Sequence, residues 1–257
     1  MLEEQDIGED AVGERGGSGS LAGWALSLYP DAAEAGGSFR YSTPCRPAAG
    51  EGDPERSRAE AARRARGKVR RYCAANRLNR LGTLTYRGSG CHDPRELRGH
   101  VAQFFRELRS GLGGEALAYL WVPEWHKTGH GQHVHFAVGR FVGRSLIEQA
   151  WGRGFVHIKL LGDLPVGSGS LEEARKAAGY LSKYVGKSFD DKRVPGLHRY
   201  EVAEGFQPRA LRIVGATAGE VIAEASAVMG RQPATVWSSE EQDAWRGPPA
   251  VWAAWAA

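Results

Sequence analysis

Residues 116–139 read ALAYLWVPEWHKTGHGQHVHFAVG. Two β-prone runs, 116–125 and 132–139, flank a glycine-bearing connection, the pattern of a hairpin. On the second strand His133 and His135 are two residues apart, so both imidazoles point to one face. The register around the connection decides what joins them. Placing His126 opposite His133, around a loop of residues 127–132, puts Glu124 opposite His135. All four side chains then share a face, with cross-strand Cβ atoms ~5 Å apart. Three imidazoles and a carboxylate so placed can hold a divalent cation. His130 falls in the loop, and His92, His100, His157 and His198 have no partner pattern.

The flanking segments extend the hairpin into a sheet. Upstream, LGTLTY (81–86) alternates and reads as a strand. Asp93-Pro94 then opens a helix over 94–112, with Leu97, Val101, Phe104, Phe105, Leu108 and Leu112 at helical spacing. Downstream come a short helix at 144–151, a strand at Gly154–Leu161, a Gly/Ser loop, and an amphipathic helix over 171–187 capped by Ser170. The order β-α-β-β-α-β-α predicts an α+β fold, an antiparallel sheet of about five strands with helices on one face. Residues 200–257 are less legible, with a helix expected at 217–229 and a Trp-rich end.

The 257 residues suffice for one ordinary domain plus tails. No run of eighteen apolar residues occurs, so no membrane partner is expected. The first residues, MLEEQDIGED, lack a basic n-region and an apolar h-region, so a cytoplasmic location is expected. Three dispersed cysteines, Cys45, Cys73 and Cys91, form no disulfide framework. The net charge of +4 hides a segregation: eleven acids and three bases in residues 1–55, then ten bases and one acid in residues 56–80. The first segment, rich in Gly, Ser, Pro and acids, reads as a mostly disordered tail with a short apolar stretch at Leu21–Tyr29. The second reads as a basic helix over 56–77, weakened by Gly67. Its single-sign charge, carried by Arg63, Arg64, Arg66, Lys68, Arg70 and Arg71 among others, points to nucleic acid.

A second chemical signal is YLSKYVGK at 180–187, the pattern Y-x-x-K written twice. Tyr180 and Tyr184, at i and i+4, can lie side by side on a helix, and Lys183 and Lys187 repeat the offset. A phenol of pKa ~10 is only about one part in a thousand ionised at pH 7. A nearby cation and an ammonium would correct that weakness. Metal, tyrosines and a DNA-binding helix are the parts of a phosphotyrosine transesterification of DNA.

Three motifs in order resemble the HUH endonucleases, and among them the rolling-circle replication initiators. TLTY at 83–86 is similar to the first motif, PEWHKTGHGQHVHF at 123–136 to the second, and AGYLSKYVGK at 178–187 to the third in its paired-tyrosine version. AWGRGFVHIKLL and the block RRARGKVRRYCAANRLNR are also similar to actinobacterial plasmid and integrative-element initiators. The resemblance covers about residues 63–208. It implies a five-stranded antiparallel sheet related to the RNA-recognition fold, Mg²⁺ or Mn²⁺ as cofactor, and single-stranded origin DNA as partner. It implies His133 and His135 as metal ligands with a third ligand upstream, His126 by position and Glu124 as the alternate. It implies Tyr180 as the first nucleophile and Tyr184 as the second, aided by Lys183 and Lys187.

The resulting division is a tail at 1–55, a catalytic domain at 56–208 that includes the basic helix, and an unassigned extension at 209–257. Gly186-Lys187-Ser188 resembles the end of a P-loop, but position 181 is Leu where Gly is required, so unwinding falls to a host helicase. Three rivals remain open: an HUH relaxase or transposase, a non-catalytic DNA binder holding structural zinc, and a phosphoesterase that uses water. Structural zinc prefers cysteine-rich sites, and none lies near 124–135.

Overall fold

The computed structural model describes residues 22–42, 53–159, 169–189 and 196–256. In chain order these form β1 (Gly23–Tyr29), β2 (Glu34–Arg40), α1 (Pro54–Ala75), β3 (Arg80–Tyr86), α2 (Pro94–Gly111), β4 (Tyr119–Trp125), β5 (Gln132–Val138), α3 (Arg144–Trp151), β6 (Gly154–Lys159), α4 (Ser170–Lys187), β7 (Glu201–Val202), β8 (Leu211–Gly215), α5 (Ala218–Met229), β9 (Thr235–Ser238) and β10 (Ala250–Ala254). The fold is α+β, with two open five-stranded antiparallel sheets, ordered β6-β3-β5-β4-β7 and β8-β1-β2-β10-β9.

The first sheet has the expected order of elements, and β5 with its histidines is the central strand. The helices, however, cover both faces rather than one. Period-2 alternation divides β5 cleanly. Val134, Phe136 and Val138 face α2 and α3 in a core with Phe104, Phe105 and Trp151. Ala137, with Leu81, Leu120 and Val122, faces α1 and α4 through Ala65, Val69, Ala177, Leu181 and Val185. His133 and His135 therefore point toward α4. That face carries apolar residues at one end and the histidines at the other, and α4 runs across both.

Local chemistry sets the helix starts. Asp93 accepts from the Arg95 amide at 2.8 Å, with Pro94 at the first helical position. Asp53 does the same for Glu55 at 3.0 Å, which starts α1 two residues earlier than composition suggested. Ser170 is the first residue of α4 rather than its cap; Gly169 holds that place and makes no side-chain bond.

The second sheet corrects the division of the chain. Residues 22–42 lie in the stretch expected to be mostly disordered but form two strands: β1 falls on the expected apolar segment Leu21–Tyr29, β2 on residues read as disordered, and residues 211–254 supply β8, β9 and β10 with the expected α5. The glycines that suggested a linker serve close packing instead: a Cβ on Gly37 would sit 2.2 Å from the Ala25 carbonyl oxygen across the pair. Trp24, Leu26, Leu28, Ile213 and Val251 bury one face of this sheet with Val221 and Ala225 of α5. The disorder expected for residues 1–21 and 43–52, Cys45, and the Gly/Ser loop at 162–170 up to residue 168 lie outside the described residues. Among the described residues Cys73 and Cys91 are buried free thiols. None of the described helices is long and apolar enough to cross a membrane.

The two sheets share α1 and α4. Glu34, 2% exposed on its side chain, receives Arg70 at 2.7 Å and Arg71 at 3.5 Å from α1. From α4, the Arg175 guanidinium donates to the carbonyls of Ala33 at 2.9 Å and Trp255 at 3.0 Å. The Ala33 carbonyl also accepts from the Trp255 amide at 2.9 Å, so Arg175 reinforces a joint that the backbone already makes.

Candidate active site

The hairpin pairs two residues out of step with the register that the sequence suggested. Glu124 lies opposite His133 and Val122 opposite His135, with Trp125 facing Gln132 as the last pair. The turn is residues 126–131, closed by the His126 amide donating to Gly131 oxygen at 2.8 Å. Gly129 and Gly131 take φ of 79° and 72°, a left-handed backbone that favours glycine. A Cβ on Gly131 would also sit 2.3 Å from the Cys91 carbonyl oxygen.

This register sets Glu124, rather than His126, against both imidazoles. Glu124 Oε2 lies 3.0 Å from His133 Nε2 and 2.9 Å from His135 Nε2, and the two imidazole nitrogens are 3.0 Å apart. His126 turns into the loop, where its Nδ1 pairs with Thr128 Oγ1 at 2.6 Å. Its ring centroid is 5.5 Å from that of His133. Glu124, His133 and His135 thus form a possible metal-binding site. The donor set fits a divalent ion. Ligands ~2.1 Å from an octahedral centre are about 3 Å from their neighbours, the spacing seen here. Without a proton or cation between them, two nitrogen lone pairs and a carboxylate at that distance repel.

The surroundings prepare these groups as ligands. His135 Nδ1 pairs with Thr83 Oγ1 at 3.0 Å across β3 and β5, and with Nδ1 carrying the proton Nε2 keeps its lone pair. Burial lowers the His135 pKa to about 4 and lowers that of His133, against the opposing pull of Glu124. Burial raises the Glu124 carboxyl, but Lys187 and the neighbouring His135 outweigh it and leave the pKa below the ordinary carboxylate value. Lys187 Nζ meets Glu124 Oε1 at 2.7 Å, so one carboxylate oxygen is held by α4 while the other faces the histidines.

The tyrosines of α4 stand over this cluster. The Tyr184 ring stacks on His135, with centroids 3.7 Å apart and planes 21° apart. The Tyr184 hydroxyl donates to the Tyr180 oxygen at 2.8 Å. Burial and the hydrogen bond with Tyr180 raise the Tyr184 pKa. The Tyr180 ring lies 6.0 Å from His135 and carries Lys159 Nζ 4.8 Å from its centroid. Lys187 Nζ sits 5.0 Å from the Tyr184 ring centre. Lys183 is exposed and has no ion pair or hydrogen bond among the described residues.

Sequence reasoning missed Lys159 and Thr83. Lys159 lies on the edge strand β6, which pairs with β3 so that His157 faces Thr83 and Lys159 faces Leu81. Alternation along β6 was the available signal, but its link to Tyr180 required the tertiary pairing. The basic residues divide. Arg63, Arg64, Arg66 and Lys68 are exposed on α1. Arg70 and Arg71 are committed to Glu34, so they knit the two sheets together. Arg66 points toward α4, where a Cβ on Gly186 would come within 3.3 Å of its guanidinium.

Residues 79–189 match a family described as replication-associated protein. The matched stretch holds the histidine hairpin and the tyrosine helix, and the match supports a replication initiator with DNA as its partner. No curated protein and no solved structure matches the chain.

Proposed function

We propose that this protein is a paired-tyrosine HUH-type endonuclease that starts rolling-circle replication by nicking and rejoining single-stranded origin DNA. The observation that carries the reading is the placement of Tyr180 and Tyr184 on one turn of α4, directly above the Glu124–His133–His135 cluster. A tyrosine pair serving only the core would need no such partner.

In this reading the Tyr180 oxygen attacks the scissile phosphorus. The bond from phosphorus to the 3′ oxygen breaks, and the 5′ phosphate stays on the tyrosine. The 3′ oxygen leaves as a hydroxyl after taking up a proton, and the tyrosine proton passes to solvent. Tyr184 donates to the Tyr180 oxygen and fixes its position over the cluster. The ammonium of Lys159 lies over the Tyr180 ring, placed to offset negative charge that gathers at the reacting centre. Lys187 holds Glu124 in place, and Thr83 orients His135. Bound Mg²⁺ or Mn²⁺, held by Glu124, His133 and His135, would polarise the scissile phosphate. Lys183 is assigned to the DNA backbone rather than to the reacting phosphate. Because phosphoryl transfer conserves the bond energy, the reverse attack by a 3′ hydroxyl rejoins the strand. Unwinding is left to a host helicase.

The test uses Mn²⁺ and labelled single-stranded fragments tiling the DNA beside the gene. A covalent protein–DNA adduct on denaturing gels, lost in the Tyr180→Phe/Tyr184→Phe double variant, is the expected result. Cleavage at the wild-type rate by the double variant would transfer the chemistry to a water nucleophile.

A further inference from the structure

The groove between α1 and the second sheet is not part of the catalytic cluster, and residues 79–189 contribute nothing to it. Its volume is about 670 Å³. We propose that it is a second nucleic-acid site, one that holds unpaired DNA by stacking on tryptophan and by contacts to phosphate. The proposal rests on the reading above only in taking single-stranded DNA as the partner.

One wall is a face of α1. Arg63, Arg64, Gly67, Lys68, Arg70 and Arg71 all line the groove. Their spacing of i, i+1, i+4, i+5, i+7 and i+8 is a single helical stripe. The opposite stripe, with Ala65, Val69 and Cys73, packs on α4. The basic stripe is therefore neither a helix solvated all round nor a core face. The cations outnumber the carboxylates paired with them, which are Glu60, shared by Arg63 and Arg64, and the buried Glu34, shared by Arg70 and Arg71. Among the described residues no carboxylate lines the groove itself.

The other wall and the floor come from the sheet. Strand register puts Ser27, Gly36, Trp252 and Trp237 in one row across β1, β2, β10 and β9. The apolar core lies on the other side of this sheet, with Leu26, Leu28 and Val251. The row runs from small residues to large indoles, which leaves a low floor beside an aromatic wall. Trp245 completes the wall. It meets Trp237 edge-on with centroids 5.4 Å apart and planes 68° apart. Its indole N–H donates to Pro248 oxygen at 2.8 Å, and the Arg63 guanidinium lies 5.5 Å from its ring centre. Arg70 lies 5.2 Å from the Trp252 ring centre.

Three half-buried tryptophans beside a row of cations leave ring faces and positive charge together at the surface. A chain of alternating phosphates and flat apolar rings has the matching chemistry. A duplex offers the phosphates but not the ring faces, and an acidic peptide offers charge without stacking area. Single-stranded DNA is the occupant these observations favour.

The probe is an oligothymidylate of about 20 nucleotides, bound to the whole protein in EDTA so that no cleavage can occur. Binding should quench tryptophan fluorescence. Trp245→Ala should weaken it about tenfold. Lys68→Glu, at an exposed helix position where folding is not at stake, should weaken binding and make the slope of log K against log salt less negative by about 0.7. A duplex hairpin of equal length should give no quenching. Equal quenching by duplex, or unchanged binding in both variants, would overturn the proposal. A protein that forms no adduct but shows the quenching keeps this site and loses the nicking reading. One that forms the adduct without the quenching does the reverse.

Discussion

At the residue scale, the two tyrosines are inequivalent although the sequence writes them as a repeat. Tyr184 donates its proton to Tyr180 and has its pKa raised by burial, so it begins as the poorer nucleophile. Tyr180→Phe should therefore remove most of the first covalent adduct. Tyr184→Phe should still form it but release fewer closed circles, since the second transfer needs a second hydroxyl in reach. Equal adduct loss from both substitutions, measured on denaturing gels, would mean that the hydroxyl pair acts as one unit. The third ligand gives an equally sharp test. Mn²⁺ titration by calorimetry should show Glu124→Ala losing more than the ~10-fold typical of an outer-shell partner, because its oxygen lies 3.0 Å or less from both imidazoles. His126→Ala should change affinity by less than about twofold, its ring being turned toward Thr128. The reverse order would return His126 to the site.

At the element scale, the legible parts were those with strong local period or chemistry. The Asp-Pro start of α2, its apolar stripe, the alternation of β3 and β5, and the amphipathic α4 all follow from residues close in sequence. The shared face of His133 and His135 and the pairing of the two tyrosines on one helical turn could be read on that basis. The register of β4 on β5 could not, because the turn is pinned by Cys91, forty residues upstream of Gly131, through the bond from Gln132 to Cys91 oxygen. Sheet pairing also hides the reason for Gly82 in β3. A Cβ there would come within 2.4 Å of the Phe136 ring, which is 1% exposed and enclosed by Phe104 and Phe105. Gly82→Ala should destabilise by about 1–3 kcal/mol, the usual cost of overpacking a rigid core. Thermal melting checks this, and a melting point equal to wild type would show that the ring can yield.

At the scale of the whole molecule, the second sheet was illegible because its strands come from opposite ends of the chain. EAGGSFR and AVWAA are short, poor in β-branched residues, and pair across more than 200 residues, as in Gly36 with Trp252. The domain so built has cores independent of the ligand cluster. EDTA should therefore abolish cleavage while leaving the circular dichroism unchanged, and loss of secondary structure would make the ion a folding element. The joint between the sheets is more vulnerable. Glu34 is nearly inaccessible, and Arg70 is its close partner at 2.7 Å while Arg71 stands off at 3.5 Å. Removing Arg70 strands a buried carboxylate beside one distant guanidinium. Removing Glu34 leaves two guanidinium groups that still reach water and stack on Trp252 and Tyr29. The asymmetry of unpaired buried charge makes the first change the costlier, by the ~3 kcal/mol typical of a broken buried pair against about 1–2 kcal/mol for the second. In urea denaturation Arg70→Ala should lower the midpoint more than Glu34→Ala, and the double variant should be no worse than Arg70→Ala alone. If Glu34→Ala proves the more damaging, the carboxylate is organising the β1–β2 turn itself rather than answering α1, and the two sheets are joined mainly through Arg175.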